Sequence, residues 1–116
     1  MQQSSWQVAI GIVLALGVLY SATTVSSRAQ EATYSLTIHD THFEPATLNV
    51  KAGVKFKLSV RNARKAAAEF ESAELNREKI VPPGGNVTVL LGPLKPGSYA
   101  FFDDFHRATK GTIVAK

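Results

Sequence analysis

The stretch YAFFDDFHRATKGTIVAK, residues 99–116, sets the reading of this chain. Tyr99 to Phe102 and Gly111 to Ala115 are short apolar runs suited to strands, and a polar loop carrying Asp103, Asp104 and His106 lies between them. Two packed strands fix the ends of such a loop, so few residues need ordering for carboxylate and imidazole groups to hold a metal ion. Asp-Asp-Phe-His is also ordinary solvated turn chemistry, and the loop alone does not choose between the two.

Working outward, the chain upstream alternates apolar and polar residues with the period of a half-buried strand. Tyr34, Leu36 and Ile38 alternate with Thr33, Ser35 and Thr37, and Val54, Phe56, Leu58 and Val60 with Lys55, Lys57 and Ser59. Thr47 to Lys51, Glu78 to Val81 and Asn86 to Leu91 give further short strands. His39 to His42 is a turn, and Phe43 returns to the core. Arg61 to Ala68 favours helix by composition but is too short to be stable alone, so a loop with one helical turn is expected there. In Glu69-Phe70-Glu71 the alternation points Phe70 inward and both carboxylates to the opposite face. Pro82 to Gly85 and Gly92 to Gly97 break the chain between strands. About eight short strands with no long amphipathic helix imply an all-β fold, an antiparallel β-sandwich of Greek-key type.

The first 29 residues differ in composition from the rest. Val8 to Leu19 is a continuous apolar run, and Ser27-Arg28-Ala29 places small residues three and one before Gln30. That layout is a secretory signal peptide cut between Ala29 and Gln30, leaving 30–116 as the mature domain. No Lys or Arg precedes Arg28, so an uncleaved membrane anchor formed by an N-terminal hydrophobic helix is the alternative. Either way the domain is expected outside the cytoplasm.

Thirteen Lys and Arg against nine Asp and Glu give a formal net charge of +4. The cations are dispersed along strands (Lys51, Lys55, Lys57, Arg61) with no stacking aromatics among them, which argues against nucleic-acid binding. Without cysteine the chain has no disulfide, no thiol nucleophile and no thiolate metal ligand. No Gly-x-Ser-x-Gly elbow occurs, so hydrolase catalysis of that type is excluded and no catalytic residue is assigned.

Phe43-Glu44-Pro45, Val50-Lys51-Ala52-Gly53, the Pro-Gly turns, Gly97-Ser98-Tyr99 and the ending Lys110-Gly111-Thr112-Ile113-Val114 resemble a cupredoxin domain. Segments 69–72, 75–80, 92–97 and 101–106 resemble more narrowly the periplasmic cupredoxins that accompany Ftr-type ferrous-iron permeases and the cupredoxin domain of EfeO-type proteins. The resemblance puts Asp103 where blue-copper proteins have Cys and His106 at the loop His. It puts Glu69, or Glu71 in a competing register, near the upstream His, and offers no thioether near Lys110. A trigonal His-His-Cys site is therefore absent. The implied metal set is Glu69, Asp103 and His106, with Glu71, Asp104, His42 and His39 in reserve. Carboxylate and imidazole suit Cu(II) and iron better than Cu(I).

The resemblance thus implies a periplasmic protein that binds copper or iron and serves ferrous-iron uptake or oxidation with an inner-membrane permease. Two other classes stay open: a periplasmic copper-binding module without catalysis, and a metal-free interaction domain. Glu69 and Glu71 also fit the solvent face of a strand, His39 and His42 also fit surface turn residues, and Phe101, Phe102 and Phe105 fit packing. Intact-mass measurement of protein recovered from the periplasm is expected to show a chain beginning at Gln30; retention of residues 1–29 would indicate the anchored form.

Overall fold

Alternating apolar residues in seven extended segments and two shorter ones drive a two-sheet sandwich. The computed structural model describes residues 15–22 and 31–116. The strands are β1 (Ala32–Ile38), β2 (Phe43–Glu44), β3 (Thr47–Val50), β4 (Phe56–Asn62), β5 (Ala68–Ser72), β6 (Arg77–Val81), β7 (Asn86–Leu91), β8 (Gly97–Asp103) and β9 (His106–Ala115). One sheet has the order β2-β1-β4-β7 and the other β3-β9-β8-β5-β6. Residues 15–22 carry no helix or strand, and the Ala29–Gln30 junction and the rest of the expected N-terminal helix lie outside the described residues. Among the described residues no helix is long and apolar enough to cross a membrane.

The sandwich is not purely antiparallel. β1 pairs parallel with β4, Ala32 opposite Phe56 through Ile38 opposite Asn62, and β3 pairs parallel with β9. Parallel neighbours require a crossover, and here the chain crosses to the second sheet and back between β1 and β4. Three local expectations also change. Phe43 and Glu44 form a short strand on β1. Residues 63–67 contain no helical turn, because β4 runs on to Asn62 and β5 starts at Ala68. The loop expected between Phe102 and Gly111 shrinks to Asp104-Phe105, because Asp103 ends β8 and His106 opens β9.

The inward residues of both sheets make one core. Leu36 and Ile38 of β1, Phe56, Leu58 and Val60 of β4, and Val89 and Leu91 of β7 face Leu48, Val50, Phe70, Val81, Phe101 and Ile113. Phe101 sits edge-on to Phe43, centroids 4.8 Å apart at 81°, and 5.3 Å from Phe70. Burial of such side chains stabilises by about 1.5–3 kcal/mol each and is the main favourable contribution in a chain with no disulfide.

Gly111 opposes Phe101 across β8 and β9, and a Cβ there would run into the Phe101 ring and crowd the Ala46 carbonyl. Gly111→Ala is expected to destabilise the domain by about 1–3 kcal/mol through overpacking. Urea unfolding checks it, and Phe101→Leu in the Gly111→Ala background should cost less than the two single changes added together.

Candidate metal centre

Antiparallel pairing lays the outward residues of β5, β6, β8 and β9 in rows. Phe70 opposes Asp103 and Glu71 opposes Phe102, and the Asp104 N–H donates to the Glu69 carbonyl at 2.9 Å. Across the other edge of β5, Glu69 opposes Ile80 and Glu71 opposes Glu78. One row of the outer face therefore reads Ile80, Glu69, Asp104 and the next reads Glu78, Glu71, Phe102, Lys110. Glu69, Glu71 and Asp104 each offer an oxygen within 4.8 Å of the other two.

Glu69 is not a solvated strand carboxylate. Its residue is 5% exposed, and its Oε1 is buried without a hydrogen-bond partner. The neutral carboxyl can share its proton with Glu78, and burial and the charges of Glu78, Asp104 and Glu71 add to that, pushing Glu69 up to about 7. Glu71 is also raised, by desolvation first and then by Asp104 and Glu78, with Arg107 opposing. Arg107 Nη2 lies 2.9 Å from Asp104 Oδ1 as an ion pair, without the alignment of a hydrogen bond. Crowded carboxylates repel one another when ionised, and a bound cation would relieve that repulsion.

The other expected site residues lie elsewhere. Asp103 is fully buried, and its carboxylate accepts from Arg64 Nη1 at 2.7 Å, from the Glu69 N–H at 3.0 Å and from the Phe105 N–H at 3.0 Å. His106 is half-buried, with Nδ1 2.8 Å from the Thr109 hydroxyl, outside the three-carboxylate group. His39 and His42 stack on the β1–β2 turn with centroids 4.7 Å apart, and His39 Nε2 is 2.8 Å from Glu44 Oε2.

Between Phe102 and Asp103 the β8–β9 register jumps. Phe102 pairs with Lys110 and Asp103 with His106, so Arg107, Ala108 and Thr109 form a bulge on β9. Bulges re-aim side chains next to functional sites; this one buries Thr109 and brings Arg107 back onto Asp104. Sequence reading did not single out Arg64, Glu78 or Arg107. Arg64 sits in a run with helical composition, and its placement depends on Asn62. The Asn62 amide donates to the Ala66, Val81 and Pro82 carbonyls, and its oxygen accepts from the Arg64 N–H. Glu78 could have been found from the period-two pattern once β6 was paired with β5.

Residues 10–115 match the model of the cupredoxin-like domain family. An uncharacterized protein of Rickettsia prowazekii (strain Madrid E) is 45% identical over 80 residues, which span 68% of this chain and 64% of that protein. Among solved structures, the metal-binding domain of the Streptococcus pneumoniae Cu(I)-exporting P-type ATPase CopA, solved with Cu(I), superposes with a TM-score of 0.68 at 12% identity, over 75% of this chain and 88% of that one. A reduced amicyanin variant gives 0.60 at 17% identity, over 72% and 82%. A chain of a heme-copper terminal oxidase dimer gives 0.63 at 15% identity, over 75% and 66%. At these identities the structural likeness speaks for the fold, and the sequence match over nearly the whole length agrees with it: the chain belongs to the cupredoxin-like domain family.

Proposed function

We propose that this protein is an exported metal-binding domain that takes Cu(II) or an iron ion between Glu69, Glu71 and Asp104 and serves ferrous-iron uptake beside a membrane permease. The observation that carries the metal reading is the buried, unpartnered Glu69 Oε1 within a group of three converging carboxylates. A buried polar atom without a partner costs about 1–3 kcal/mol, and a bound cation would remove that penalty. The donor set fits hard ions. The chain has no cysteine and its single methionine is Met1, so no sulfur of the domain can favour Cu(I). A bound ion would supply positive charge to the cluster, and anionic oxygen donors favour the ferric over the ferrous state.

Asp103 serves this reading as an anchor, because its oxygens already accept three donors within the protein. Glu69 supplies its oxygen from β5 and Asp104 from the β8–β9 turn, and Arg107 orients Asp104 from the far side. The iron-uptake half rests on segments 69–72, 75–80, 92–97 and 101–106 and their resemblance to permease-associated cupredoxins. The apolar run Val8 to Leu19 supports export.

Calorimetric titration of the purified protein with Cu(II) tests the site. Glu69→Gln and Asp104→Asn are each expected to weaken binding by more than about tenfold, while His39→Ala leaves it unchanged. The complex should be pale, since no thiolate exists to give an intense visible band. A larger loss in His106→Ala than in Asp104→Asn would move the ion onto the hairpin imidazole. Absence of stoichiometric metal would favour the interaction-domain alternative.

The raised pKa of Glu69 gives a second expectation. The folded protein holds this proton more tightly than the unfolded chain, whose value is near 4.5, so the associated stability is fully present below 4.5 and lost as pH rises through about 7. The Tm of the metal-free protein is therefore expected to fall between pH 5 and 7.5, and Glu69→Gln should flatten that fall. Cu(II) affinity should rise over the same window, because the ion needs the deprotonated carboxylate. Thermal melts at fixed ionic strength with and without Cu(II) check both directions.

A further inference from the structure

Beside the carboxylates the outer sheet face changes sign. A pocket of about 240 Å³ is lined by Phe102, Arg107 and Lys110. It adjoins the carboxylate cluster directly. Glu71, Phe102 and Lys110 are successive register partners across β5, β8 and β9, and Arg107 touches Asp104 at 2.9 Å. The Arg107 guanidinium carbon stands 5.9 Å from the centroid of the Phe102 ring, which gives the cation a platform. Asp104 engages only part of that guanidinium, whose fork carries five donors. Lys110 is exposed and has no ion-pair partner among the described residues.

Two cations at the rim of a cation site oppose the entry of a bare metal ion. They are well placed for an anion that accompanies it. Three protein oxygens also leave coordination positions open on an ion such as Cu(II), which prefers a tetragonal set of nitrogen and oxygen donors. A small hydroxypolycarboxylate meets both conditions: some of its oxygens can remain on the metal while a free carboxylate pairs with guanidinium and ammonium. The pocket has room for a molecule of that size and is smaller than a drug-sized cleft, which runs to about 300–1,000 Å³.

Building on the proposed metal site, we infer that the domain takes its ion as a complex with a small hydroxypolycarboxylate, held by Arg107 and Lys110 against Phe102 while Glu69, Glu71 and Asp104 approach the metal. No covalent bond changes; the protein carboxylates replace water or weakly held donors on the ion. Arg107 reaches Asp104 from within the β9 bulge.

The test compares Cu(II) alone with Cu(II)–citrate on the whole protein by calorimetry, with labelled citrate to report whether the anion stays bound. Wild type is expected to retain citrate with copper in a one-to-one-to-one complex. Lys110→Gln and Arg107→Gln should each bind the citrate complex at least about tenfold more weakly, while Lys110→Gln, whose side chain pairs with none of the three carboxylates, keeps its affinity for Cu(II) alone. Glu69→Gln should lose both ligands, and Lys57→Gln, on the other sheet, neither. Citrate that strips copper from wild type, or Lys110→Gln and Arg107→Gln proteins that bind the complex as wild type does, would overturn the inference and leave the metal site standing. Failure of wild type to bind copper in either form would remove the metal site and this inference together.

Discussion

The buried ion pair between Arg64 and Asp103 is the constraint on which this end of the sandwich depends. Asp103 is fully buried, and its carboxylate joins three separate pieces of chain: the β4–β5 loop through Arg64, the second residue of β5 through the Glu69 N–H, and the hairpin tip through the Phe105 N–H. A buried pair is costly to desolvate, and removing one partner typically costs about 3–5 kcal/mol because the other charge is left uncompensated. Three well-aligned donors make the arrangement tolerable here. Asn62 prepares it by shaping the loop that carries Arg64, and Arg64 also lies 4.0 Å from Asp40 on the β1–β2 turn. The chain thus spends its most buried carboxylate on geometry and leaves the neighbouring ones on the outer face of the sheet.

That division follows from parity. In a strand successive side chains point to opposite faces, so an inward Asp103 sends Phe102 outward, and an inward Phe70 sends Glu69 and Glu71 outward. The hairpin then turns Asp104 toward Glu69. A slip of one residue between β5 and β8 would exchange the faces, burying Glu71 or Glu69 against the aromatic core and exposing Phe70. The packing of Phe70 and Phe43 on Phe101 opposes that slip. Core and candidate site are therefore two consequences of one register.

What could be read from the sequence divides along the same line. The period-two runs in β1, β4 and β7 show their inward residues directly, and the sandwich follows from them. Glu69 stands out because Phe70 beside it has to be core. The parallel pairing of β1 with β4 is not visible, since alternation is the same for either strand direction. The β9 bulge is hidden as well: residues 106–110 are polar and read as a loop, yet His106 and Lys110 both pair with β8. Arg64 matters through Asp103, 39 residues away, and local composition carries no trace of that contact, while Glu78 matters through Glu71 across the β5–β6 pairing. Asp103 and Asp104 look alike in the sequence, and only the register separates the anchor from the candidate ligand.

The fold alone does not decide which ion such a site takes; the donors do. Cupredoxin-like folds include a domain solved with Cu(I) and the amicyanins, and at 12–17% identity these share the sandwich with the present chain without implying its ligands. Here sulfur is absent from the domain and imidazole lies outside the converging group, which leaves oxygen from three carboxylates, one of them buried. Soft ions gain little from such donors, whereas small, highly charged ions gain most from anionic oxygen in a site with limited access to water. The charge pattern around the cluster sharpens the point. Glu78 adds a fourth carboxylate on one side, while Arg107 and Lys110 bound the cluster on the other. A chain with a net positive charge that gathers four of its nine acidic groups into one partly buried patch holds them there against their mutual repulsion. The Arg64–Asp103 pair and the aromatic core fix the backbone under that patch, and so supply the rigidity that keeps the repelling groups together.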